Sequence, residues 1–147
     1  MRIVLAHGTF DLLHMGHLQY FKRAKEYGDK LIVSVTSNRW VMKGLGRPIF
    51  DEKERMEMIA AIKYVDNVIL SDTENSVTII NMIKPAVYAK GPDYSKADPT
   101  GNLEKERIAV ESHGGRLVII HNEIVYSSTE IMNGALLQKR IAQCQES

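Results

Sequence analysis

The groups best suited to chemistry crowd into one stretch near the start of the chain, His7-Gly8-Thr9-Phe10-Asp11-Leu12-Leu13-His14-Met15-Gly16-His17. An apolar run, Arg2 to His7, precedes it, and a helical pattern begins at about Gly16. Glycines at 8 and 16 allow close approach of backbone to a ligand, and the first amides of a helix point outward, which is an anion-binding arrangement. No Gly-Lys-Ser/Thr follows, so the stretch is not a Walker A loop, and its glycine spacing is not that of dinucleotide enzymes. His14 and His17 are three residues apart across the helix start, which puts both rings on roughly one side. Two imidazole donors beside a helix N-terminus suit phosphate oxygens; capping or solvated histidines are the plain alternative. A zinc site would need three or four ligands, and no Cys, Glu or His at supporting spacing completes one.

The elements that must position these groups alternate along the chain. Strand patterns are expected at Arg2–His7, Lys30–Thr36, Asn67–Ser71, Ala86–Lys90 and Leu117–His121. Helical patterns are expected from Gly16 to Tyr27 with Gly28 as a left-handed C-cap, and from Asp51, which has capping-box spacing to Glu54, to about Lys63. Further helices are expected across Val77–Ile83, across Leu103–Ser112 before Gly114-Gly115, and from near Ser127 past Leu137. Alternation of this kind implies βαβ crossovers, and so an α/β fold: one Rossmann-like domain over residues 1–147, a five-stranded parallel sheet with helices on both faces. Thr36–Phe50 and Gly91–Asn102 are long connections that follow strands, as Gly8–His17 does. All three should meet at the carboxyl edge of the sheet, where such folds bind ligands.

Composition narrows the partners. Nineteen Lys and Arg against eighteen Asp and Glu leave a net charge of +1, and basic residues interleave with acids in Lys22–Glu26 and Glu104–Arg107. That is the pattern of solvated helix faces, and it argues against nucleic acid as a partner. The single cysteine, Cys144, excludes an internal disulfide framework. No apolar run approaches the ~20 residues that span a bilayer, and no leader pattern follows Met1, so a cytoplasmic protein without membrane contact is expected.

Gly8-Thr9-Phe10-Asp11 with His14-x-Gly16-His17 resembles the signature of the nucleotidyltransferase superfamily that includes cytidylyltransferases, pantetheine-phosphate adenylyltransferase and class I tRNA synthetases. Lys43-Gly44-x-Gly46-Arg47-Pro48 is similar to the glycine-rich lysine loop of the adenylyltransferase domain of ADP-heptose synthase. Glu54-Arg55 with Tyr64-Val65-Asp66 resembles a helix shared by that enzyme and glycerol-3-phosphate cytidylyltransferase, whereas Lys84-Pro85 leading to Lys90-Gly91-Pro92-Asp93-Tyr94 is closer to the heptose enzyme. Ser127-Ser128-Thr129 resembles the superfamily's serine–threonine motif, with two departures: Tyr126 precedes it and Glu130 follows. The loop from Ser95 to Asn102 is longer than in those relatives.

The resemblance implies transfer of a nucleoside monophosphate from ATP or CTP to a phosphorylated acceptor such as heptose 1-phosphate, with release of pyrophosphate. Glycerol-3-phosphate or another alcohol-phosphate cytidylyl transfer is the alternative within the class, and a non-catalytic nucleotide-binding module the alternative outside it. His14, His17 and Lys43 are the implied catalytic residues. Gly8, Thr9, Phe10, Gly16, Lys90, Asp93, Tyr94, Ser127, Ser128 and Thr129 are the implied nucleotide-binding residues, with Thr9 and Phe10 acting through backbone amides. Asp11, which could also help hold a metal, Lys22 and Arg55 are candidates for the acceptor; Asx capping by Asp11 and solvated helix charges at Lys22, Lys25 and Arg55 are the structural alternatives. Mg²⁺ is expected, bound mainly through the triphosphate rather than by protein ligands. Met56 to Ile62 offers apolar residues beyond one face, and a homodimer is expected. His113 and His121 carry no comparable context, and Trp40 is expected simply to pack.

Overall fold

The computed structural model describes residues 1–41, 45–91, 100–122 and 128–146. Five strands, β1 (Ile3–Gly8), β2 (Lys30–Thr36), β3 (Asn67–Ser71), β4 (Val87–Lys90) and β5 (Arg116–Ile119), form one sheet in the order β3-β2-β1-β4-β5. Every pairing is parallel. The helices are α1 (Met15–Lys25), α2 (Glu52–Ala60), α3 (Val77–Ile83), α4 (Asn102–Ser112), α5 (Ser128–Met132) and α6 (Ala135–Glu146). A 3-10 turn, Asn38–Trp40, lies in the connection after β2.

The central strand reads as an unbroken apolar run because both of its faces are covered. Val4 and Ala6 face one cluster with Tyr20, Phe21 and Ala24 of α1 and Ile59 of α2. Leu5, on the opposite face, joins Ile79 and Ile80 of α3 and Ala109 and Val110 of α4. Successive side chains of a strand alternate between faces, so β1 binds the two helix layers together. The chain winds one way from β1 through β2 to β3 and the other way from β4 to β5. The switch point therefore falls between β1 and β4, and the carboxyl ends of those strands flank the crevice where this architecture holds ligands.

Three expectations change. Gly28 is not a left-handed cap: α1 ends at Lys25 with Glu26 in right-handed geometry, and among the described residues only Gly46, Gly101, Gly114 and Gly134 are glycines with positive φ. Gly28 is needed because the chain passes under β1, where a Cβ would meet the Arg2 carbonyl oxygen at 2.6 Å. The second helix stops at Ala60, short of Lys63. The last helical stretch is two helices, broken after Met132, with Gly134 at φ +74° before the second, a conformation that glycine adopts at no steric cost. The other boundaries move by a residue or two, and α3 and β3 stand where periodicity places them.

Candidate active site

The chain leaves β1 at Gly8 and turns sharply at Phe10, whose φ of +52° is rare for a residue with a bulky side chain. This turn folds the Phe10 ring back over Gly8, where a Cβ would stand 2.8 Å from the ring. Gly8 thus makes room for Phe10. The ring is buried, tilted against Phe21 at 5.1 Å and edge-on to His17 at 5.5 Å, so the turn is packed on the first turn of α1.

His14 is the N-cap of α1 and His17 its third residue. Nδ1 of His14 accepts from the Gly16 N–H at 3.1 Å, and Nδ1 of His17 accepts from the His14 N–H at 3.3 Å. The two rings stack with centroids 3.9 Å apart and planes 26° apart. This is a capping box built from imidazoles, and it has a chemical consequence. A neutral imidazole has one N–H and one acceptor nitrogen; with Nδ1 accepting on both rings, each proton resides on Nε2. The sequence alternatives, capping and anion binding, are therefore compatible: one nitrogen of each ring caps the helix and the other is a donor. The Gly16 N–H, by contrast, is taken by the cap, and its carbonyl accepts from Asn122 Nδ2 at 3.0 Å.

A second layer of bonds fixes the turn that carries these rings. Asp11 is 4% exposed, and its carboxylate accepts from Ile49 N (2.9 Å), Phe50 N (3.0 Å) and Arg47 Nε (2.9 Å). Burial alone would raise its pKa, but the Phe50, Ile49 and Arg47 donors outweigh burial and hold it below the usual carboxylate range. Arg55 of α2 is 1% exposed and bridges three segments: Nε to Phe50 O at 3.0 Å, Nη1 to Thr9 O at 2.7 Å and Nη2 to Asn38 Oδ1 at 2.8 Å. Asp11 and Arg55 are thus placed as anchors that bind residues 47–50 to the β1 turn. Ser128 Oγ donates to Leu12 O at 2.7 Å, and Thr129 Oγ1 accepts from Arg47 Nη1 at 3.2 Å, so the start of α5 joins the same assembly.

Across the switch point, Lys90 closes β4. It is 2% exposed, with Nζ 3.9 Å from Glu106 Oε1 and 5.4 Å from the Tyr88 ring centroid. Glu106 Oε2 accepts from the Tyr88 hydroxyl at 2.6 Å, from Ser76 N at 3.2 Å and from the Ser76 hydroxyl. Burial, and next Glu106, push the Tyr88 hydroxyl well above its ordinary range, so it stays a donor. His7, at the end of β1, lies within 2.7 Å of Ser34 Oγ and 3.4 Å of Thr36 Oγ1. Desolvation, assisted by the Lys90 charge, lowers its pKa to about 3, so its ring is neutral. A polar cavity of about 250 Å³ opens between His7, Lys90, Glu106, Asn75, Asn102 and Thr100.

The turn after β1, the connection after β2 and the start of α5 therefore converge on one rim, with His14, His17, Asp11, Arg55, Ser128 and Thr129 among them. Lys90 stands at the end of the neighbouring strand. Lys22 is exposed on α1, beside a surface groove lined by Gln19, Lys63 and Tyr64; Lys25 is ion-paired with Asp66. Lys43, Asp93, Tyr94 and Ser127 lie outside the described residues, as does the side chain of Glu130. Among the described residues no group of three or more His, Cys, Asp and Glu could hold a metal ion, and the Asp11 carboxylate accepts from three N–H donors. Arg47, Glu106 and Asn122 are parts of this rim that periodicity and motif leave without a role. Arg47 could have been found, since it lies inside the Lys43–Pro48 stretch; Glu106 reads as one more acid on an amphipathic helix.

Comparison with known proteins bears on family and fold. The family profile described as Cytidylyltransferase-like matches residues 5–134. A curated relative from Geobacter metallireducens, "Bifunctional protein HldE", is 39% identical over 137 residues, 92% of this chain and 27% of that protein. A protein of the same name from Methylobacillus flagellatus is 40% identical over 121 residues, 81% of this chain and 24% of its own. The chain thus spans about a quarter of the length of the curated relatives it matches. Among solved structures, a lipopolysaccharide core biosynthesis protein from Thermoplasma volcanium superposes with a TM-score of 0.66 at 30% identity, covering 86% of this chain and 99% of that one. Pantothenate synthetase from Thermus thermophilus, at 16% identity and a TM-score of 0.55, covering 86% of this chain and 57% of its own, shares the fold. The chain belongs to the cytidylyltransferase-like family.

Proposed function

We propose that residues 1–147 form one nucleotidyltransferase domain that transfers a nucleoside monophosphate from ATP or CTP to a sugar phosphate such as heptose 1-phosphate, releasing pyrophosphate. The observation that carries this reading is the stacked His14–His17 pair at the carboxyl rim, in which both Nδ1 atoms accept at the start of α1, so that each neutral ring carries its proton on Nε2. A phosphate monoester has a second pKa of roughly 6, so the acceptor's attacking oxygen is anionic at neutral pH and no general base is required. What the protein must supply is alignment and stabilisation of charge developing on the α- and β-phosphates. In this reading Nε2–H of His14 and of His17 donates to those phosphates. Lys43 adds a positive charge, and Gly8, Gly16 and the backbone of Thr9 and Phe10 shape the turn beneath.

Lys90, Asp93, Tyr94, Ser127, Ser128 and Thr129 hold the nucleotide in this reading, and Lys22 meets the acceptor. Asp11 and Arg55, whose polar atoms are committed to residues 47–50, Thr9 and Asn38, act as positioning residues and do not touch the acceptor. Mg²⁺, bound through phosphate oxygens and water, would neutralise charge on the departing pyrophosphate. Support for a sugar phosphate acceptor comes from relatives bearing the name HldE, from the lipopolysaccharide core biosynthesis protein and from the resemblance of Lys90-Gly91-Pro92-Asp93-Tyr94 to the heptose enzyme.

Product formation tests the assignment when ATP, CTP and GTP are each paired with heptose 1-phosphate, glycerol 3-phosphate and another alcohol phosphate. Turnover with ATP and heptose 1-phosphate at least ~10-fold above the other pairs, a preference worth about 1.4 kcal/mol, is expected. Preference for CTP with glycerol 3-phosphate would replace this acceptor by the alcohol-phosphate alternative. Nucleotide binding without any product would leave a binding module. A homodimer through α2, where Met58 is 60% exposed, completes the proposal; a monomeric mass in solution at micromolar concentration would contradict it.

A further inference from the structure

Arg47 occupies an unusual position at this rim. Its side chain is only 9% exposed, although it belongs to a loop. Nε donates to Asp11 Oδ2 at 2.9 Å and Nη1 to Thr129 Oγ1 at 3.2 Å, but Nη2 is buried and has no acceptor among the described residues. A guanidinium is always charged and presents its donors in a rigid fork. Burying one arm unanswered costs more than burying a neutral group unanswered, and native structures pair such groups with protein, water or a bound species. Asp11 does not serve the arm: its carboxylate accepts from Arg47 Nε and from the Ile49 and Phe50 amides, and not from Nη2.

The two groups that hold Arg47 are tied to the segment that carries the histidine pair. Asp11 is three residues before His14, and Thr129 follows Ser128, which bonds Leu12 two residues before His14. We propose that Arg47 is a polyphosphate-binding residue, its Nη2 donating to a non-bridging oxygen of the phosphates that leave as pyrophosphate. This rests on the nucleotidyl-transfer reading and extends it: the rim carries a fixed cation, held by Asp11 and Thr129, in addition to the imidazole donors. A planar fork with two arms anchored leaves the third arm aimed without further loss of side-chain freedom, which suits Arg to a phosphate and would not suit Lys.

The test measures binding of inorganic tripolyphosphate, pyrophosphate, nucleoside triphosphate and nucleoside monophosphate to wild type, Arg47→Gln and Arg47→Lys. Arg47→Gln is expected to weaken tripolyphosphate, pyrophosphate and triphosphate binding at least ~10-fold and monophosphate binding less than ~2-fold, with Arg47→Lys recovering part of the loss. If Arg47→Gln fails to fold, Arg47→Lys is read by the same ratio of triphosphate to monophosphate binding. Equal weakening of triphosphate and monophosphate, unchanged tripolyphosphate binding, or no tripolyphosphate binding by wild type would each reduce Arg47 to a loop staple. Wild-type transfer with undiminished triphosphate affinity in Arg47→Gln would remove this residue and leave the reaction standing. Tripolyphosphate binding through Arg47 without product from any nucleotide–acceptor pair would do the reverse.

Discussion

Acid should weaken this fold through His7, and the size of the effect follows from where the ring sits. It ends the central strand, bonded to Ser34 and Thr36 and near Lys90, and desolvation with that charge lowers its pKa from 6.5 to about 3. In the unfolded chain the imidazole takes up a proton below pH 6.5, while in the folded chain it stays neutral until about pH 3. The stability contributed by keeping the ring neutral is complete above pH 6.5 and is lost progressively as pH falls toward 3. Each pH unit costs up to about 1.4 kcal/mol, so the loss by pH 5 is about 2 kcal/mol at most. His7 retains a partly exposed edge, which makes that an upper figure. Denaturant unfolding of wild type and His7→Asn at about pH 7.5 and about pH 5 isolates the term, because the other four histidines titrate in both proteins. The stability difference between the two should move by about 1–2 kcal/mol in favour of the variant on acidification. Parallel curves for wild type and variant would refute the claim that a neutral imidazole is enforced at this position.

Other perturbations address the frame of the site. His14→Asn keeps a strong N-cap residue but removes the imidazole donor, so stability should change by less than ~1 kcal/mol while turnover falls ~100-fold; a parallel fall in both would make His14 a cap and nothing more. Gly8→Ala places a methyl 2.8 Å from the Phe10 ring and should cost about 1–3 kcal/mol by overpacking, read from denaturant midpoints. Arg55→Met should cost about 3 kcal/mol or more by leaving the Thr9 and Phe50 carbonyls and Asn38 without their shared donor. A loss under ~0.5 kcal/mol would show that residues 47–50 do not depend on it.

The parts of this molecule legible in its sequence are those governed by local rules. β3 and α3 are bounded by alternation, β-branched content and Pro85, and the Asp51 cap is visible from Glu54 three residues on; the Asp51 carboxylate indeed accepts from Glu54 N at 2.9 Å. The histidine pair is visible because its spacing matches a helix turn. What remained hidden depends on tertiary contact. Gly28 resembles a cap in sequence but is fixed by the passage of Arg2 above it. Asp11 and Arg55 stand out in the sequence as charged residues near a motif, and the fold adds that both bond residues 47–50. The break at Gly134 separates two stretches with the same periodicity. Glu106 is one acid among several on α4 until β4 brings Tyr88 and Lys90 beside it.

The central claim is that two imidazoles at the mouth of the first crossover donate from Nε2 to the phosphates of a nucleoside triphosphate. Pyrophosphate release, measured with nucleoside triphosphate and a phosphorylated sugar for wild type and for His17→Ala, tests it directly. Release should fall at least ~100-fold in His17→Ala, the scale of losing one donor to a developing charge; equal release by the two proteins would contradict it.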